Sequence, residues 1–149
     1  MIRDEIKAAL VSAMKSGEKA KVGAIRLIQS ALKNRDIELR GKETGDDDAL
    51  VTDVLQKMIK QRRESIEMYT KGGRQELADV EAAEIAVIEA FLPAQLSEAE
   101  LAAAIDAIVA ETGAASIKDM GKVMAVLKER HAGSVDMGKA GAVVRGKLA

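Results

Sequence analysis

Apolar residues recur along the first part of the chain with the three- and four-residue spacing of one helix face. The first stripe has four members at intervals of four residues: Ile2, Ile6, Leu10 and Met14. The same periodicity predicts a second helix over about 18–39, a third over about 48–71, and a fourth that Pro93 closes. It also places Val80 on the inward face of the fourth helix.

The remainder of the chain predicts three shorter helices, over about 97–112, 116–131 and 136–148. Ser97 and Glu100 form a Ser-x-x-Glu capping box, which satisfies backbone amides at the start of the first of them. The expected inward residues are short and aliphatic: Leu101, Ile105 and Ile108, then Met120, Met124 and Leu127, then Ala140, Val144 and Leu148. So few inward residues give only a small core, which is marginal by itself.

The composition agrees with a helical chain. Of the 149 residues, 48% are apolar but only 1% are aromatic, so the core must consist of Ala, Leu, Ile, Val and Met. These residues pack well along helices. We therefore expect an all-α fold, with an N-terminal four-helix domain over residues 1–94 and a small three-helix domain over residues 95–149.

Charge is distributed unevenly between these parts. The formal net charge of −1 favours no class of partner. Residues 95–115 hold four acids and no Lys or Arg, whereas residues 116–149 hold seven basic residues and three acids. Outward lysines on an amphipathic helix are ordinarily a solvated face. Because the C-terminal end is locally basic, its outward cations are also the candidate nucleic-acid contacts. They are Lys118, Lys122, Arg130, Lys139, Arg145 and Lys147.

A repeated motif organises this basic end. Asp-Met-Gly-Lys occurs at 119–122 and again at 136–139. Lys122 lies about 200° around a helix from Met120 and so faces outward. We interpret the two aspartates as N-terminal caps of their helices and the two glycines as points of close helix contact. The motif then presents one outward lysine twice.

Three stretches resemble the YqeY family, whose conserved unit is also called the GatB/YqeY domain. They are LVSAMKSGEKAKVGAIRLIQSALKNRDIELRGKE, KQRRESIEMYTKGGRQELADVEAAEIAVIEAFLPAQLSEAEL and KDMGKVMAVLKE, and the resemblance covers nearly the whole chain. Phe91 departs from the tyrosine that the family often has at this position. The family is similar to the C-terminal tail of the B subunit of the tRNA-dependent amidotransferase.

The resemblance carries expectations about function. It implies that the C-terminal part contacts tRNA and that the partner is a tRNA-dependent amidotransferase or glutaminyl-tRNA synthetase. It implies the amidotransferase class, a carbon–nitrogen ligase with glutamine as amido-N-donor, only through the shared domain. The chain itself is expected to be a non-catalytic tRNA-binding accessory protein.

The residues taken alone also indicate no catalyst, metal site or cofactor. His131 is the single histidine and is expected on a surface turn, where it lacks the partners of a nucleophilic triad. Three adjacent acids, at 46–48, suit the start of a helix better than a Mg²⁺ site, because adjacent side chains in a loop point in different directions. No phosphate-binding Gly-Lys-Ser/Thr loop is present.

Two alternatives stay open. The tail has no Phe, Tyr or Trp, so RNA binding must use phosphate charge and RNA shape rather than base stacking. A helical protein-interaction module without RNA affinity is the other reading, through a small-residue surface formed by Gly121, Ala125, Gly138, Gly141 and Ala142. The basic cluster KMIKQRRE is interpreted structurally, with Arg62 paired to Glu81 or Glu84.

The sequence contains no cysteine and no apolar run of the length that spans a bilayer. Its start is charged and amphipathic, without the apolar run of a signal peptide. We therefore expect a cytoplasmic protein that does not engage a membrane.

Overall fold

The computed structural model describes residues 1–131 and 133–149. Within these residues the protein has seven α-helices and one 3-10 turn, and no strand. The predicted all-helical class is therefore confirmed. The helices are α1 (Ile2–Lys15), α2 (Lys19–Glu38), α3 (Asp47–Lys71), α4 (Gln75–Glu89), α5 (Glu98–Thr112), α6 (Met120–His131) and α7 (Met137–Leu148), and the 3-10 turn is Ile117–Asp119.

The chain divides into two compact units, Met1–Leu92 and Pro93–Ala149. Each unit has its own apolar core. In the first unit, Ile25 and Ile28 of α2 pack with Leu55 of α3 and Ile88 of α4. The expected domains, residues 1–94 and 95–149, and the marginal stability of the second by itself stay predictions.

Two of the predicted inward residues are on the surface instead. Met14 is 54% exposed, and Ala13 occupies the buried position beside it. A strict four-residue spacing rotates by about 40° at each step, because a helix has 3.6 residues per turn. The stripe that starts at Ile2 has therefore left the core by Met14. Val80 is 56% exposed for a similar reason, since it lies about 140° around α4 from Ile85.

The three acids at the start of α3 have separate structural roles. Asp46 is the N-cap, and its carboxylate accepts a hydrogen bond from the Ala49 amide at 3.1 Å. Asp48 accepts the Ile2 amide at 3.0 Å. Asp47 accepts a hydrogen bond from the Arg3 guanidinium at 2.8 Å. Asp47 and Asp48 therefore fasten the start of α1 to the start of α3.

Glycine ends two of the helices. Gly113 is the C-cap of α5, with a φ of 67°. Gly73 follows α3, with a φ of 72°. Residues with a Cβ rarely adopt this left-handed conformation, which explains glycine at both positions.

Candidate nucleic-acid interface

The core of the second unit comes from one face of each of its helices. Ile105 and Ile108 of α5 are buried against Val123 and Leu127 of α6 and Val144 of α7. Ser97 and Glu100 form the predicted capping box at the start of α5, with the Glu100 amide donating to Ser97 Oγ at 3.1 Å and the Ser97 amide donating to Glu100 at 3.2 Å.

The inward residues of α6 differ in part from the prediction. Leu127 is buried as expected, but Val123 is the other fully buried residue. Met120 and Met124 are only partly buried, at the edge of the core, where they face α7. The core thus uses the β-branched residue, and the methionines fill the gap between α6 and α7.

The two Asp-Met-Gly-Lys copies are capped differently. Asp136 is the N-cap of α7 and accepts the amides of Gly138 at 2.8 Å and Lys139 at 3.3 Å. Asp119 instead is the last residue of the 3-10 turn, and its side chain points back towards the residues that precede the turn. Its carboxylate accepts the Ala115 amide at 2.9 Å and the Ser116 amide at 3.4 Å. These bonds hold the pKa of Asp119 below its usual range.

The expected helix cap is therefore present at Asp136 and wrong for Asp119. The physical reason lies upstream of each motif. Ser116 stands three residues before Asp119 and completes a capping box with it, so the Asp119 carboxylate serves the amides of the turn that precedes α6.

The motif glycines do not make the close helix contact that we expected. A Cβ at Gly121 would meet no atom within 4 Å. One at Gly138 would meet only Asp136 Oδ1, at 3.2 Å, which belongs to its own cap. The glycine at the α6–α7 contact is Gly141, which is buried and lies against the methyl groups of Met120 and Met124.

Two of the six candidate cations are ion-paired with α5. Arg130 Nη2 lies 2.6 Å from Glu111 Oε2, and Lys147 Nζ lies 2.7 Å from Asp106 Oδ1. The hydrogen bond from Arg130 lowers the pKa of Glu111 and raises that of Arg130 itself. Both pairs connect the acidic helix to the basic helices, so their charge is largely compensated.

The other four candidates have no such partner. Lys118, Lys122, Lys139 and Arg145 are exposed, and none makes a hydrogen bond or ion pair through its side chain within the residues that the structure describes. Lys122 lies close enough to Asp119 to contribute to the lowered pKa of that carboxyl. The elements that carry these cations pack against one another, since the 3-10 turn contacts both α6 and α7.

Small residues surround the free cations of α7. Lys139 and Arg145 lie about 120° apart around the helix, and Ala142 and Gly146 occupy the exposed surface between them. Because the exposed residues of α7 between the two cations are short, a bulky anion can approach the helix closely there. Sequence reasoning did not include Lys128, which is also exposed on α6 without a described partner; its outward position was the available signal.

The basic cluster of α3 contrasts with this surface. The Arg62 guanidinium is only 13% exposed, with Nε at 2.8 Å from Glu84 and 3.9 Å from Glu81. Its Nη1 also donates to the Met58 carbonyl at 3.2 Å. The predicted pairing of Arg62 with the acidic face of α4 is confirmed. Arg63 continues the pattern, at 3.6 Å from Glu89.

Neither a cluster of metal ligands nor a membrane-spanning helix is present in the part of the chain that the structure describes. Among residues 1–131 and 133–149, no three His, Asp or Glu side chains come together in a way that could hold a metal ion. None of the helices in this part of the chain is long and apolar enough to cross a bilayer.

Comparison with known families decides the membership of the chain. The family described as Yqey-like protein matches residues 3–148. The chain belongs to the YqeY family. The resemblance of the three quoted stretches is thereby confirmed over almost the full length.

Curated relatives include the protein named "Altered inheritance of mitochondria protein 41, mitochondrial" in several fungi. The one from Eremothecium gossypii is 35% identical over 108 residues, which are 71% of this chain and 58% of the relative. The one from Lachancea thermotolerans is 34% identical over 109 residues, 71% of this chain and 57% of the relative. The chain therefore spans little more than half of the length of these YqeY-family relatives.

These names correct one expectation. The relatives are mitochondrial proteins by name, which contradicts the cytoplasmic location expected from the sequence. Composition could not have decided this point, because a cysteine-free chain without a long apolar run fits more than one compartment.

Proposed function

We propose that this protein is a non-catalytic accessory protein that binds tRNA through the cations of its C-terminal helices. The observation that carries the proposal is the set of four exposed cations without a carboxylate partner: Lys118, Lys122, Lys139 and Arg145. They lie on three elements that pack together, next to a helix whose acids already hold Arg130 and Lys147. We assign no catalytic residue.

The mode of binding follows from the side chains available. The second unit has no aromatic residue on which a base could stack. Lysine and arginine on exposed helix faces instead neutralise phosphates, and the small residues of α7 permit close approach of a folded backbone. The protein thus recognises the shape and charge of tRNA rather than its base sequence.

The domain organisation and the partner enzyme belong to this proposal as well. The proposed protein has a four-helix N-terminal domain and a three-helix tRNA-binding domain. Family membership supports association with a tRNA-dependent amidotransferase or glutaminyl-tRNA synthetase, with the tRNA shared between the two proteins. The alternative is a protein-interaction module built on small residues. Gly141 is buried, so its surface comprises the exposed Gly121, Ala125, Gly138 and Ala142.

A filter-binding titration with a folded tRNA transcript tests the proposal. Changing the four free cations to glutamate (K118E, K122E, K139E and R145E) should raise the dissociation constant by about a hundredfold at moderate salt, since each lost phosphate contact weakens binding. A matched variant with four exposed lysines changed elsewhere, K42E, K57E, K60E and K71E, has the same net charge and should bind with far less loss.

Capture of partner proteins from cell lysate distinguishes tRNA binding from direct protein interaction. If the partner enzyme is held through tRNA, treatment with RNase should release it. Equal binding of tRNA by both charge-reversal variants, or RNase-resistant capture of a protein by a chain that binds no tRNA, would reject the proposal and favour the interaction module.

A further inference from the structure

We infer that the outer face of α2, in the first unit, is a second cationic surface that binds the phosphate backbone of RNA. Its cations are Lys19, Arg26 and Lys33, which follow one another at intervals of seven residues. Seven residues are close to two helical turns, so each cation lies within about 20° of the one before it. All three are exposed.

This face carries no compensating acid. From position 19 to position 35 the helix has five Lys or Arg residues and no Asp or Glu. The acids that follow are already engaged: Asp36 accepts hydrogen bonds from Arg3 at 2.8 and 2.9 Å, and Glu38 accepts one from Arg35 at 2.9 Å. In the described part of the chain, Lys19, Arg26 and Lys33 make no side-chain hydrogen bond or ion pair.

The neighbouring helix α3 balances four of its five cations internally, and only Lys60 is without a partner among the described residues. Lys57 lies 3.2 Å from Asp53, and Lys71 lies 2.9 Å from Glu67, each in an i,i+4 pair. Such pairs are the usual way in which a helix surface balances its charge. α2 lacks such ion pairs over almost its full length. The charge of its three cations is therefore not compensated within the helix and can attract an external anion.

The spacing of the cations indicates an extended anion. With a rise of about 1.5 Å per residue, successive cations are about 10 Å apart and the three span about 21 Å. The exposed positions between them are Gly23 and Ser30, whose side chains are short. A linear chain of negative charges can therefore lie along the helix, as a nucleic-acid backbone does.

A neighbouring lysine widens the surface. Lys7 of α1 and Lys33 line the same shallow groove between α1 and α2, together with the amide of Gln29. Arg3 and Asp36, which are hydrogen-bonded to each other, line the groove as well, so a phosphate there meets two ammonium groups and an amide beside one compensated carboxylate. The surface thus extends from a single helix to the seam between two.

A membrane surface fits these observations less well than RNA. An interfacial helix inserts a wide apolar face among the headgroups. The cationic stripe of α2 has only glycine and serine between its cations. Leu27 lies about 80° to the side of Lys19, in a groove that Val80 and Val87 of α4 also line. This apolar surface lies beside the row of cations and not among them.

This inference concerns a different unit from the proposed function but rests on the same ligand, tRNA. Its test is a salt titration of tRNA binding by the full chain carrying K19E, R26E and K33E. The plot of the logarithm of the association constant against the logarithm of the salt concentration has a negative slope. Its magnitude should decrease by about 2, because each backbone contact contributes about 0.7. A matched triple variant on α3, K57E, K60E and K71E, should leave the slope unchanged. Equal helicity by circular dichroism verifies that both variants fold.

Each other outcome has a defined meaning. An unchanged slope in the α2 variant, equal loss in the α3 control, or no tRNA binding by the native chain would overturn the inference. Binding to vesicles rich in anionic lipid that is lost in the α2 variant, without a change in tRNA binding, would overturn it in favour of a membrane role. Loss of tRNA binding in the α2 variant but not in the C-terminal quadruple variant would support this inference and reject the proposed function.

Discussion

The cations of α3 and those of the C-terminal helices lie in similarly basic stretches of sequence but differ in what surrounds them. Arg62 lies against α4, where Glu81 and Glu84 neutralise it. Lys122 and Lys139 stand on exposed helix faces without a carboxylate within ion-pair distance in the described chain. A basic stretch therefore indicates a binding surface only when its cations have no internal partner.

The largest effect on folding should come from the most deeply paired cation. Changing Arg62 to alanine leaves two partly buried carboxylates on α4 without their donor, and we expect the free energy of unfolding to fall by about 2 kcal/mol. Chemical denaturation measures the loss. The matched change Lys60→Ala, two residues away on the exposed side of α3, should alter stability by less than about 0.5 kcal/mol. If both variants are equally stable, the α3 cluster is free for binding and the comparison fails.

A smaller effect should arise at Arg3, whose side chain joins Asp36 and Asp47 at 2.8 Å each. The hydrogen bond from Arg3 holds the pKa of Asp36 below its usual range. A lowered carboxyl pKa stabilises the fold above the usual aspartate range, and this contribution is lost as the pH falls through the lowered value. Arg3→Met should therefore cost about 1 kcal/mol at neutral pH, in view of the partial exposure of the pairs.

The pH dependence provides the control for that variant. The stability difference between the native chain and Arg3→Met should shrink towards zero in acid, as Asp36 becomes protonated in both. A difference that is constant from neutral pH to pH 3 would show that Arg3 stabilises the fold by packing alone.

The smallest effect distinguishes the two copies of the repeated motif. Gly121→Ala places a methyl group in open space and gains helix propensity, so stability should rise by about 0.5 kcal/mol. Gly138→Ala places its methyl group 3.2 Å from the capping Asp136 oxygen, and should gain less or lose. Thermal unfolding of the two variants, side by side, measures this. An equal gain in both would contradict the difference in capping.

Much of the fold could be predicted from the hydrophobic periodicity and from the residues that cap or end helices. Most helix bounds, the Ser97–Glu100 box and the Arg62 pair each follow from local spacing or from one half-buried charge that needs an acid. The start of α6 was predicted wrongly at about residue 116, because the 3-10 turn Ile117–Asp119 precedes the helix, which begins at Met120. The exposure of Met14 and Val80 could not be predicted in the same way. Burial depends on which side of the helix faces the core, and a short apolar pattern does not determine that side.

The candidate site was predictable only as a set of outward cations. Sequence spacing could not separate Arg130 and Lys147 from the other four, because their partners, Glu111 and Asp106, are distant in sequence and come into range only when α5 packs against α6 and α7. The capping of the preceding turn by the Asp119 carboxylate likewise depends on Ser116, which the repeat itself does not include.

The salt dependence of tRNA binding tests the central claim most directly. Neutral variants avoid the repulsion that glutamate introduces, so the comparison uses glutamine at Lys118, Lys122, Lys139 and Arg145, and glutamine at Lys42, Lys57, Lys60 and Lys71 as the control. We expect the magnitude of the slope of the logarithm of the association constant against the logarithm of the salt concentration to decrease by about 3 in the first variant. It should stay unchanged in the second. Equal slopes in the native chain and both variants would contradict the assignment of RNA binding to the unpaired C-terminal cations.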